Sequence, residues 1–489
     1  MDLMKNTSKQ LINLKNKNLF SEKNFINGKL VDAKNKIAVF NPSNGALIGE
    51  VPNFDKPDLN SAIIAAQNAF EKWSKLAGKE RAKILYRWYQ LILENQEDLA
   101  QILTTEQGKP LAEARSEIIY GANFIEWFSE EAKRTYGDTI PAPKQNQKII
   151  TFLEPVGVVA AITPWNFPSA MITRKAAAAM AAGCSVILKP SELTPFSAIA
   201  LAVLAKEAGI PDGVFNVVTG DSQTIGEEFC QNNIIRKISF TGSTRVGKLL
   251  NKQCADDLKR ISLELGGSAP FIVFADADLD KAIAGLMHAK FRNGGQACTC
   301  VNRIFVEEKI HDQFVQKLID EVKKLKIGDG FEASSNIGPM ISNLAVEKVE
   351  RLISDAIKNG AKCKIGGKKI SGQFFAPTVI TEVKPDMKIA IEEIFGAVAA
   401  IQKFNNEAEI IKLANDTEYG LGSYLYTSDN ARIWRISEAL QFGMVAINEC
   451  SFATEVAPFG GIKHSGFGRE GSHLGILEFS QIKTLHWSF

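Results

Sequence analysis

The stretch "VGVVAAITPWNFPSAMITRKAAAAMAAGCSVILK", residues 156–189, decides how the rest of the chain is read. It opens with a short apolar, β-branched run, "VGVVAAI" (156–162), and crosses "TPWNFP" (163–168). An Ala-rich segment of helical length follows, "SAMITRKAAAAMAAG" (169–183), and then a second apolar run, "SVIL" (185–188). Strand, helix and strand in that order form the βαβ unit of a parallel sheet. Downstream the alternation continues through "PFSAIALAVLAKEAG" (195–209), "FNVV" (215–218), "KISF" (237–240) and "RISLEL" (260–265). Helix punctuation agrees, with Pro195 near a helix start and Gly183 and Gly209 following helix ends. This region reads as a doubly wound nucleotide-binding domain.

Working outward, residues 57–135 read as mostly helical, and "DLNSAIIAAQNAFEKW" spaces its apolar residues as a helix does. From about 270 to 460 strands and helices alternate again, which suggests a second α/β domain. Residues 137–154 and the tail "FSQIKTLHWSF" look like strand material outside both. With 489 residues, two to three domains are expected.

Composition excludes several function classes. Hydrophobic residues make up 45% and charged residues 23%, and the formal net charge is +2. That gives no electrostatic reason to expect nucleic acid or an anionic membrane as partner. No continuous apolar run is long enough to span a bilayer. The N-terminal stretch has neither an apolar signal core nor transit-peptide bias. Seven irregularly spaced cysteines argue against a secreted disulfide framework, so a cytoplasmic, reducing home is expected.

The chemistry centres on "GGQACTC" (294–300), where Cys298 and Cys300 are two positions apart. Zinc would need a second ligand pair, yet the five histidines are scattered and no second pair of cysteines exists, so no metal is expected. Two inert, buried cysteines are one reading. A nucleophile is the other, and it needs a base and donors for an oxyanion. "LELGG" (263–267) offers Glu264 at the end of a strand pattern; it is either a base with a raised pKa or a surface acid beside a turn. Asn166 in "TPWNFP" offers an amide for an oxyanion, or simply marks a turn. In "FTGSTRVG" (240–247) Ser243 opens a helix, as an ordinary N-cap or as a phosphate site. "GFGREG" (466–471) matches the dinucleotide-binding glycine pattern but follows no strand of a βαβ unit, and is rejected.

Taken together, "ITPWNFP", "LKPSELTPFSA", "FTGSTRVG", "LELGG", "NGGQACTC", "EEIFGAV" and "PFGGIKHSGFGREG" resemble the aldehyde dehydrogenase superfamily in its own order, across residues 162–471. The resemblance implies an α/β fold of that type, with three parts. These are an NAD(P)-binding domain (1–136 and 155–265), a catalytic domain (266–465), and bridging segments (137–154 and 466–489) that build a small strand-built oligomerisation element. It implies that Cys298 is the nucleophile, that Asn166 holds the oxyanion together with the Cys298 amide, and that Glu264 activates water on the thioester. It sets Trp165 and Ser243 against the cofactor pyrophosphate, Lys189 and Glu192 against the adenosine ribose, and Glu393 against the nicotinamide ribose. Thr163, Ser191, Gly220, Gly242, Leu265 and Phe395 complete the implied cofactor site. One departure is Ala397, where the family's usual form is "EEIFGPV".

"MITRK" (171–175) and "KFRNGGQACTC" (290–300) resemble the succinate-semialdehyde dehydrogenases, where two arginines clamp the distal carboxylate. This implies substrate roles for Arg174 and Arg292, and the guanidinium fork suits a carboxylate. The family's serine anchor aligns with Ala453, with Thr454 beside it as the polar substitute. The expected reaction is NAD(P)-dependent oxidation of succinate semialdehyde to the dicarboxylate. Glutarate semialdehyde or a broader range of aldehydes is the alternative within the reaction, and a catalytically silent binding protein is the alternative outside it. Glu264 argues against transfer of the thioester to coenzyme A. Glu192 would favour NAD by repelling a 2′-phosphate, while Lys189 and Ser191 still admit NADP. A homodimer or homotetramer is expected. Arg292 is expected to lower the Cys298 pKa, and Cys300 to serve as a redox partner that bridges to Cys298 under peroxide.

Overall fold

The computed structural model describes residues 12–489. Two large, mainly parallel sheets carry the molecule, as the alternating pattern predicts. The first has eight strands, and its central five run in the order Phe215–Val217, Ser185–Lys189, Val158–Ile162, Ile235–Thr241, Arg260–Glu264, all parallel. The chain therefore steps outward in one direction from Val158–Ile162, then returns and steps outward in the other. That reversal opens a crevice at the carboxyl ends of Val158–Ile162 and Ile235–Thr241, where doubly wound sheets bind ligands.

The helix Ala170–Ala182 leaves this crevice and is buried at every residue. Its run of alanines lets it lie between the sheet and the long helix Leu111–Glu131. Gly183 ends it at φ 104°, a left-handed conformation that suits glycine at a helix terminus. The expected helical region resolves into Lys56–Trp73, Gly78–Glu94, Gln96–Gln107 and Leu111–Glu131.

The second sheet has seven strands, with Val301–Glu307 and Ala269–Val273 side by side at its centre. A three-stranded antiparallel sheet joins Thr139–Ile140, Gln147–Pro155 and Ser480–Ser488. Gly466–Phe467 pairs antiparallel with Leu263 and Glu264 at the edge of the first sheet, a strand of two residues that is too short to give a periodic signal in the sequence.

Candidate active site

Two loops leave the crevice. One carries residues 163–169 and the other Gly242 and Ser243. Ser243 caps the helix Thr244–Cys254, its hydroxyl accepting from the Val246 amide at 3.4 Å. The hydroxyls of Thr163 and Thr241 are buried here without a hydrogen-bond partner among the described residues. At the far end the buried Lys189 ammonium donates to Glu192 Oε2 at 3.1 Å and to Ser222 Oγ at 2.6 Å. Burial alone would raise Glu192, but the Lys189 charge and its hydrogen bonds hold the carboxyl below its usual range. The Ser191 hydroxyl is used locally, accepting from the Leu193 amide. Gly220 lies against the Phe54 carbonyl, which a Cβ would approach to 3.0 Å.

From the crevice a cavity of about 310 Å³ runs between the two sheets, a size ordinary for small-molecule sites. Cys298, Asn166 and Trp165 share its wall with Gly242, Ser243 and Leu265. Glu393, Phe395, Arg174 and Arg292 also line it. Local backbone explains how Cys298 gets there. Asn293, Gly294 and Gly295 take φ of 51°, 61° and 76° in succession, a left-handed run that only such residues tolerate. At Gly267 a Cβ would stand 2.5 Å from the Cys298 carbonyl, so the second glycine of "LELGG" admits the cysteine loop.

Asn166 is fixed from two sides. Its carbonyl accepts from Lys109 Nζ at 2.8 Å and from Asn293 Nδ2 at 3.0 Å, and its own amide donates to the Gln296 carbonyl at 3.0 Å. Across the cavity Trp165 meets Phe395 edge to face at 5.6 Å. The Glu393 carboxylate accepts from the Gly267 amide at 3.0 Å. Asn302 ties down both sides of Glu393 through the Glu392 carbonyl and the Ile394 amide, which keeps the turn in place despite Ala397.

Electrostatics differ from the expectation. Burial pushes the Cys298 thiol up to about 12, and the largest opposing charge is Arg174 rather than Arg292. Glu264, Glu393 and Glu470 raise it further. Glu264 ends the strand Arg260–Glu264 as expected, but its side chain is not among those lining the cavity. It is buried near Gly460, with Oε2 unpartnered among the described residues, and burial together with Glu470 lifts it well above the carboxylate range. Glu470 moves the opposite way, held ionised against burial by Lys175 and Arg174.

The two arginines are not equivalent. Arg174 pairs with Glu470 at 3.0 Å, donates to the Tyr120 hydroxyl at 3.3 Å and lies 4.1 Å from the Phe459 ring centroid. Among the described residues Arg292 makes no ion pair; it lies over Phe167 at 5.2 Å. Thr454 is outside the cavity wall, its hydroxyl accepting from the Val456 amide, while Ala453 lines the cavity. Cys300 does not join Cys298 there either. Its sulfur is buried against Lys290, whose ammonium reaches it at 3.3 Å, and it faces the Lys290 and Val301 carbonyls. This geometry gives a Cys298–Cys300 bridge no support.

Several residues escaped the sequence reading. Tyr120 and His288 line the cavity from two helices whose periodicity predicts a buried face but not what it meets. Ser222 joins Lys189 and Glu192 from the next βα turn. Glu470 lay inside the rejected glycine motif, where nothing in the sequence marks an ion pair with Arg174 and Lys175.

The model of the aldehyde dehydrogenase family matches residues 30–485. The chain belongs to this family. A glutarate-semialdehyde dehydrogenase of Pseudomonas putida is 53% identical to this aldehyde dehydrogenase, over 96% of this chain and 99% of that one. The succinate-semialdehyde dehydrogenase (NADP(+)) GabD of Escherichia coli K12 is 52% identical over 96% and 99%. A crystal structure of succinate-semialdehyde dehydrogenase from Burkholderia pseudomallei superposes with a TM-score of 0.96, at 52% identity, covering 97% of this chain and 100% of that one.

Proposed function

We propose that this aldehyde dehydrogenase oxidises a short ω-carboxy aldehyde, succinate semialdehyde, to the dicarboxylate. The observation that carries this reading is Arg292: an arginine without an ion pair among the described residues, in the wall of the cavity that holds Cys298. Its planar fork suits a carboxylate, and a carboxylate would satisfy its charge. Arg174, which also lines the cavity, adds a second guanidinium whose charge Glu470 already offsets. Ala453 in the wall leaves space that a larger side chain would fill, which favours glutarate semialdehyde as the second reading. Comparing kcat/KM for succinate semialdehyde, glutarate semialdehyde and butanal tests it, and a preference for butanal would overturn it.

In this reading Cys298 gives its thiol proton to solvent water as its sulfur attacks the aldehyde carbon and forms a thiohemiacetal. The Asn166 amide turns from the Gln296 carbonyl to the new oxyanion and, with the Cys298 amide, holds it. The residues of the crevice fit NAD(P): a capped helix N-terminus, two buried hydroxyls without partners among the described residues, the Glu393 carboxylate in the cavity wall, and the Glu192 carboxylate beside Lys189 and Ser222 for ribose hydroxyls. When bound, the dinucleotide supplies the hydride acceptor. Cys298 is then left as a thioester. Glu264 rotates from its place beside Gly460, takes a proton from water and directs hydrolysis. A water-activating carboxylate at this position favours hydrolysis over transfer to coenzyme A.

We infer that NAD is preferred and NADP admitted, because Glu192 keeps its negative charge beside Lys189 and would repel a 2′-phosphate. We also propose the division into residues 1–136 with 155–265, 266–465, and 137–154 with 466–489; residues 1–11 lie outside the described residues. The three-stranded sheet leaves Ser480–Ser488 as a nine-residue edge strand with Ile482, Leu485 and Trp487 exposed. A second copy of the chain, as homodimer or homotetramer, is the occupant this apolar edge suits. All seven cysteines are free thiols, which supports a reducing, cytoplasmic setting.

A further inference from the structure

The cavity that holds Cys298 does not end at Arg292. A second cavity, of about 650 Å³, lies on the other side of the same residues, and Tyr120, Phe167, His288, Arg292 and Ala453 line both. His288 and Arg292 are therefore at the junction. They are four positions apart at the C-terminal end of the helix Leu279–Phe291, a spacing that puts side chains on one helix face. The carbonyl end of a helix favours cations, and His288 is in its last turn. Among the described residues the imidazole has no hydrogen-bond or ion-pair partner, and it is exposed to the cavities.

We propose that His288 is a specificity-determining residue: in its protonated form it joins Arg292 as a two-cation gate that draws the substrate's distal carboxylate from the outer cavity into the inner one. The inference rests on the reading of the substrate as an ω-carboxy aldehyde.

The groups that face His288 set the conditions. Desolvation and the Arg292 charge hold the imidazole below its ordinary range, and Glu449 opposes them. Cys450 and Glu455 line the cavities from the loop beyond Glu449. On the helix Leu111–Glu131 the facing acids are already engaged. Glu113 accepts from the Asn293 amide and Glu117 pairs with Lys109 at 2.6 Å. In the free enzyme at neutral pH the imidazole is thus largely neutral. An arriving carboxylate partly cancels the Arg292 charge and favours proton uptake from solvent. Since a carboxyl of this kind titrates near about 4.3, the substrate stays ionised above pH 6 and only the imidazole changes charge. Binding of the carboxylate should therefore strengthen as pH falls toward 6.

The test measures kcat/KM for succinate semialdehyde divided by that for butanal, from pH 6 to 8.5, in the wild type, His288→Ala and His288→Lys. Taking the ratio cancels the pH dependence of Cys298 and Glu264, which both substrates share. The ratio should rise about fivefold toward pH 6 in the wild type, carried by KM. It should stay flat and low in His288→Ala, and flat and high in His288→Lys, which keeps its charge at pH 8.5. A wild-type preference for succinate semialdehyde with the same pH profile in all three proteins overturns the role of His288 alone. If the wild type shows no preference over butanal at any pH, the carboxylate reading falls and this inference falls with it.

Discussion

Arg174 and Glu470 form a buried ion pair, Nη2 to Oε2 at 3.0 Å, beside the Glu264 carboxyl whose charge both of them tune. Arg174 is thereby committed to the acid cluster behind the cavity, whereas Arg292 is free to meet a ligand.

Substitution of the two arginines should separate these roles. Removing one partner of an enclosed charge pair costs about 2–5 kcal/mol, roughly 30-fold or more. Arg292→Leu should lose that much kcat/KM on succinate semialdehyde relative to butanal. Arg174→Leu should instead lower turnover of both aldehydes, because Glu470 loses a counter-charge and Glu264 becomes harder to ionise. Equal losses on both substrates in Arg292→Leu would make that arginine structural.

Nucleophile and base should fail differently. Cys298→Ala should abolish NADH formation. Glu264→Gln should give a burst of NADH of about one equivalent and then stall at the thioester, since deacylation needs the base. Steady turnover without a burst phase in Glu264→Gln would refute the assignment.

The thiol itself has a pH signature. With burial lifting Cys298 to about 12, the thiolate fraction in the cofactor-free enzyme grows about tenfold per pH unit throughout the neutral range. Alkylation by iodoacetamide should follow that slope from pH 7 to 9 with no plateau. A plateau below pH 8 would mean a thiolate already formed. Glu264 adds a second limb to turnover: its pKa is raised, so the base is present only above that value and kcat rises with pH through it.

Cofactor choice should turn on one carboxylate. Glu192→Gln removes the negative charge while leaving Lys189 in reach of a 2′-phosphate. The ratio of kcat/KM for NADP to that for NAD should rise about tenfold, a change of roughly 1.4 kcal/mol. An unchanged ratio would show that Glu192 does not select the cofactor.

The sheet around Val158–Ile162 was legible because strands and helices of ordinary length alternate there, with glycine and proline at their ends. Cys298, Asn166 and Trp165 were picked out through a family resemblance, since each motif alone left other readings open, and the structure brings the three onto one cavity wall. The acid cluster was not. Glu264, Glu470, Lys175 and Arg174 come together from three separate stretches, and a charged residue's burial cannot be read from its neighbours in sequence. The same limit misjudged the thiol: proximity of Arg292 in sequence suggested a lowered pKa, whereas desolvation outweighs every cation near Cys298. Cys300 was misread because closeness in sequence was taken for a shared side, whereas in this irregular turn Cys298 faces the cavity and Cys300 packs against Lys290.

The pairing of Gly466–Phe467 with the strand that ends in Glu264, and of Glu470 with Lys175 across 295 positions, has a consequence for biosynthesis. Contacts so distant along the chain close late, after the local helices and the central strands have formed. Cys298 leaves the ribosome long before residue 470 does. During that interval neither the burial nor the Glu470 charge that raises the Cys298 thiol is in place, so the sulfur of the nascent chain ionises more easily than that of the finished fold.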